Sequence, residues 1–158
     1  MTEQQHALQS AYAPFAAAMR EHDFGEPVDP EAWPAELIAA HVILTNDLLT
    51  DTARSVASGG EPVYDNGPAH DGDRLREVLV RTGALSELAQ EVERSASDLE
   101  AAYEQLSDQQ REKPLRTRLF HNGELVTDES RPIGSTIRST ASEHVDVHLT
   151  QLLHLRDD

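Results

Sequence analysis

His144 and His148, four residues apart in the run S-E-H-V-D-V-H from Ser142 to His148, are the side chains best placed to do chemistry. On a helix, positions i and i+4 leave the same face one turn apart, so both imidazoles can reach one divalent ion. A third imidazole, His41, lies in another stretch with helical spacing, sharing a face with Leu37, Leu44 and Leu48 and flanked by Ile38, Thr45 and Leu49. An inward histidine needs a partner, and a core hydrogen bond satisfies it as well as a metal does. Two imidazoles on one buried stripe raise the demand, because a single ion satisfies both together. Three neutral nitrogens leave at least one coordination position open, the arrangement of catalytic rather than structural metal sites. Zinc or nickel suits imidazole best, and iron is compatible.

The elements that must position these residues read as helices. From Gln4 to about His22, Leu8, Tyr12, Phe15 and Met19 recur at helical steps, with Pro14 either kinking the helix or starting it. Residues 23–33 form a connection, and Pro34 opens the second helix, the one carrying His41. Residues 57–72 are rich in turn formers and are expected to be a long surface loop with His70 in solvent. From Asp73 a regular seam (Leu75, Val78, Thr82, Leu85, Ala89, Val92, Ala96, Leu99, Tyr103, Leu106) predicts a third helix, with a weak point at Gly83. Such a seam suits the core of a helix bundle or a contact with a second copy of the chain. Residues 107–133 are a second long connection, with a small hairpin expected from Leu119 to Val126 around Asn122-Gly123. The fourth helix, about Gly134–Leu155, carries Ile137, Ala141, His144, His148, Leu152 and Leu155 on one side. His154 points away from that stripe, and His6, His22 and His121 are also left out of the site. The expected architecture is all-α, one domain over residues 1–158.

Composition narrows the partners. Thirteen Lys and Arg against 29 Asp and Glu give a formal charge of -16, which repels nucleic acid and anionic membrane surfaces. There is no cysteine, so thiolate ligands and disulfides are excluded and any thiol must come from outside the chain. With no apolar run long enough to span a membrane and no signal-peptide pattern, a cytoplasmic protein is expected. One stretch inverts the charge: Arg111, Lys113, Arg116, Arg118, Arg131 and Arg138 outnumber their local acids. Either these pair with acids elsewhere, or the stretch forms an anion-binding lid in which Arg116 and Arg118 orient a substrate.

The histidine midway along the second helix in W-P-A-E-L-I-A-A-H-V, together with H-x-x-x-H followed by T-Q-L-L-H-L near the end, resembles the DinB superfamily. Within it the chain is similar to the metal-binding N-terminal domain of mycothiol-dependent maleylpyruvate isomerase. The resemblance implies a four-helix bundle with long connections between helices 2 and 3 and between helices 3 and 4. It further implies a divalent metal on His41, His144 and His148, a low-molecular-weight thiol as cofactor, and frequent homodimers. In the isomerase branch a glutamate stands where this chain has His144, which separates it from maleylpyruvate as substrate. Three function classes remain open: a thiol-dependent transferase or isomerase acting on a small anionic or electrophilic substrate, a metal-dependent hydrolase, and a non-catalytic metal-binding or interaction protein. In the enzyme readings Glu143 and Asp146 are candidates for supporting the ligands or moving a proton; no catalytic residue follows from spacing.

Overall fold

The structure, a computed structural model, describes residues 7–157. Helix α1 (Ala7–Glu21) buries Leu8, Tyr12, Phe15 and Met19 on one face, as their spacing demands. It runs through Pro14, which lies on the exposed side. The part of this helix expected at Gln4 to His6 falls outside the described residues.

Extended Pro34 caps α2 (Ala35–Ala57). Its buried stripe is turned from the expected one: Ile38, Val42, Leu49, Ala53 and Val56 are buried, whereas Leu37, Leu44 and Leu48 are only partly covered. His41, between the two sets, is wholly buried. A polar chain links this helix to its neighbours. Tyr12 donates to Asn46 Oδ1 at 2.7 Å, Asn46 Nδ2 donates to Ser95 Oγ at 3.0 Å, and Ser95 donates to the Val92 carbonyl at 2.9 Å.

The 57–72 segment is structured rather than a loose loop. It holds the short strand β1 (Tyr64–Asp65) and a 3₁₀ turn at Gly67–His70, with Tyr64 and Ala69 buried. Its turn formers are used locally, since Asp65 Oδ1 accepts the Gly67 N–H. The seam after Asp73 becomes two helices. Asp71 caps α3 (Gly72–Thr82) by accepting from the N–H groups of Asp73 and Arg74, and the chain breaks at Gly83, whose φ of 104° glycine tolerates. Helix α4 (Leu85–Gln105) then packs along α1 and α2. Its seam residues Ala89, Val92 and Leu99 are fully buried there, so this part of the stripe that could have joined a second copy is occupied within one chain.

The expectation of a mostly helical fold holds, with a small sheet that the all-α reading did not include. After a short helix α5 (Asp108–Glu112), closed by a Ser107–Gln110 capping box, the chain forms β2 (Pro114–His121) and β3 (Glu124–Pro132). They pair antiparallel along their length around an Asn122-Gly123 turn with φ of 50° and 79°, so the hairpin is far longer than the eight residues expected. β1 adds in parallel to give the order β1-β2-β3. In β2, buried Leu115 and Thr117 alternate with exposed Pro114 and Arg116, the strand period that the arginines obscure.

The final helical stretch comprises α6 (Ile133–Ser139), a π turn (Thr140–His144) and α7 (Val145–His154), joined without leaving helical geometry. The π turn is marked by the Val145 N–H donating to the Thr140 carbonyl. α7 packs against α1 and α2, bringing its histidines to His41. The molecule is thus mostly helical, with a small sheet, and among the described residues no helix is long and apolar enough to cross a membrane.

Candidate metal centre

The π turn ends at His144, and His148 follows in the first turn of α7, so the pair leaves one face of the helical stretch. Opposite them α2 delivers His41. The three Nε2 atoms converge: His144 Nε2 lies 3.1 Å from His41 Nε2 and 3.0 Å from His148 Nε2, and all three donors fall within 4.8 Å of one another. Two nitrogens sharing an ion at about 2.0–2.1 Å are separated by roughly 2.9–3.4 Å, depending on the angle between them. Both of these separations lie in that range.

The other ring nitrogens decide what the cluster can accept. His41 Nδ1 faces the carbonyl of Ala69 at 2.7 Å, and His148 Nδ1 faces Oε1 of Gln151 at 2.8 Å. Both acceptors lack a proton, so both imidazoles donate from Nδ1 and present a lone pair at Nε2. His144 has only one proton to offer at its own Nε2 and faces two lone pairs. A cation at the shared point would satisfy all three nitrogens, so the donor set fits a divalent metal.

Burial keeps the rings in the metal-binding form. It pushes His41 from the ordinary 6.5 down to about 2 and His144 down to about 3, with the neighbouring imidazoles adding to the shift. His148 is lowered for the same main reason, partly opposed by its bond to Gln151. Since the unfolded chain takes up protons that the folded chain refuses, stability is complete above about pH 6.5 and falls as the pH drops toward the folded values. The expected slope reaches about 1.4 kcal/mol per pH unit for each buried histidine. Urea midpoints of metal-free protein should therefore fall between pH 6.5 and pH 5, before ordinary carboxylates titrate; a flat midpoint there would contradict buried neutral imidazoles.

His41, His144 and His148 come together as expected, whereas other expectations fail. Glu143 and Asp146 are exposed, and the bonds that orient the ligands come instead from the Ala69 carbonyl and Gln151. Gln151 was within reach of sequence reasoning, because it stands three residues after His148 on the same helix. Its replacement by leucine should weaken metal binding about 10–100-fold with little change in fold, measured by competition with a chromophoric chelator. His70, expected in solvent, is half-buried with its ring centroid 4.8 Å from that of His41. Trp33 lies 5.0 Å from His41 and 6.0 Å from His70. Nothing in the local pattern announces either neighbour.

Of the two readings of the basic stretch, its contacts favour pairing with acids over an anion-binding lid. Arg116 makes a two-bond pair with Asp128, Arg118 bonds Asp65 at 3.0 Å, Arg131 pairs with Glu129, and Lys113 with Glu61 at 3.0 Å. Arg111 caps the Tyr103 carbonyl and Arg138 donates to the Tyr103 hydroxyl. Most of the positive charge of this stretch is thus paired with carboxylates within the fold. Comparisons with protein-family models, curated proteins and solved structures found no match.

Proposed function

We propose that this chain is a metal-dependent enzyme of DinB type, which holds one divalent ion between His41, His144 and His148 and offers it to a small external thiol. The observation that carries the reading is the pair of committed Nδ1 protons, which turns two Nε2 lone pairs onto a third nitrogen 3.1 and 3.0 Å away. The mutual packing of α1, α2, α4 and α7 supports the bundle that the resemblance implies. A bound divalent ion would supply Lewis acidity, drawing the pKa of a thiol ligand toward neutrality.

The remaining steps belong to the chain's own residues. Ala69 and Gln151 hold two rings in the ligand tautomer. Trp33 packs against the ring of His41, which is wholly buried. No cysteine competes for the ion, so a thiol nucleophile arrives from outside. With Arg116 and Arg118 engaged by carboxylates, the substrate is better described as electrophilic than as clamped through its charge.

Cobalt titration followed by small thiols tests this directly. A new thiolate-to-cobalt absorption supports the thiol-dependent transferase or isomerase. Cobalt uptake without that band favours a metal-dependent hydrolase or a non-catalytic metal protein, and no uptake at all contradicts the metal centre.

A further inference from the structure

We infer that His70 is a positioning residue for this centre, donating a hydrogen bond to the small anionic molecule, such as a thiolate, that the ion holds. The inference rests on the metal reading above and concerns a side chain outside the three ligands. His70 packs beside His41 with 4.8 Å between ring centroids, its charge would bear on His144, and His148 bears on its own. It does not belong to the group of three mutually close histidines that could hold an ion. Among the described residues neither of its ring nitrogens makes a hydrogen bond. A half-buried imidazole with both nitrogens open, next to a cation-ready cluster, has bonding capacity that water or a bound anion can use.

The backbone beneath it is well fixed. His70 ends the 3₁₀ turn whose preceding residue, Ala69, supplies the carbonyl that orients His41. Asn66, just before that turn, donates its N–H to the Arg118 carbonyl at 3.2 Å and accepts from the Phe120 N–H at 2.6 Å through Oδ1. Pro68 restricts the turn itself. One short segment thus holds a ligand in its tautomer and sets a second imidazole beside it at a constant distance, the rigid support that a positioned donor requires.

The test uses cobalt-loaded wild type, His70→Gln and His70→Phe, titrated with azide and followed by the visible spectrum. Phenylalanine keeps the ring packing without a donor, whereas glutamine keeps a donor. The expected result is unchanged cobalt uptake in all three, azide bound roughly tenfold more weakly by His70→Phe, and most of that loss recovered in His70→Gln. Equal azide affinity in wild type and His70→Phe would overturn the inference, as would loss of cobalt from both variants, which would make His70 a ligand. Wild type that takes up no cobalt would instead overturn the metal reading on which the inference stands.

Discussion

Replacing His144 by alanine should lower the affinity for zinc or cobalt by roughly a thousandfold or more, beyond the 10–100-fold expected for an outer hydrogen-bond partner such as Gln151. His144 is the hub of the cluster, because its Nε2 is the atom within 3.1 Å of both other donors. Without it, two nitrogens on separate helices remain, and neither chelates the ion through a short loop. The fold should survive: His144 is partly exposed, and the helical stretch around it is anchored by buried Ile137, Ala141, Val145 and Leu152. Equilibrium dialysis with elemental analysis, alongside circular dichroism of the metal-free proteins, separates lost binding from lost structure. A folded His144→Ala protein that retains the wild-type affinity would show that the three imidazoles do not act together.

Asn46→Ala should produce the largest change in stability, about 2–4 kcal/mol, because it strips both hydroxyl partners of a buried side chain at once. The Tyr12 hydroxyl loses its acceptor and Ser95 loses its donor, both in the packed interior between α1, α2 and α4. Tyr12 cannot compensate by ionising, since burial raises its pKa and outweighs the opposing effect of the Asn46 bond. For a chain of this size the unfolding temperature should drop by roughly 5–15 °C. Asn46 lies five residues from His41 on the same helix but touches no ligand, so saturating zinc should raise the melting temperature of the variant as it does that of wild type. A loss below about 0.5 kcal/mol would contradict the network's role.

The three clustered histidines were legible because they obey a local rule. His144 and His148 stand at helical spacing on an apolar stripe, and His41 lies in a stretch whose period can be read without knowing what it packs against. The exact facing of α2 was less legible. Its deepest contacts come from alanines such as Ala39, Ala40 and Ala53, whose burial reflects close helix approach rather than hydrophobic weight. Gly83 could be recognised as a weak point, yet only the neighbouring packing decides that the seam divides there. The hairpin's turn was legible but its length was not, because Arg116 and Arg118 read as paired or anion-binding charges rather than as strand positions. Their carboxylate partners, Asp128 and Asp65, are 12 and 53 residues away in the chain. His70 illustrates the same limit. No periodicity connects it to His41, and the two meet only because a Gly-Pro-containing turn folds back over α2. The π turn ending at His144 has no signature in composition.

Metal content is the most direct test. Untagged protein, purified without chelators and analysed for its elements, is predicted to carry about one divalent ion per chain, or to take one up on dialysis against zinc, with a rise in melting temperature. Single alanine replacements of His41, His144 and His148 should each abolish that uptake. Wild-type protein that is folded yet binds no zinc, nickel, cobalt or iron, and melts at the same temperature with and without them, would contradict the metal centre outright.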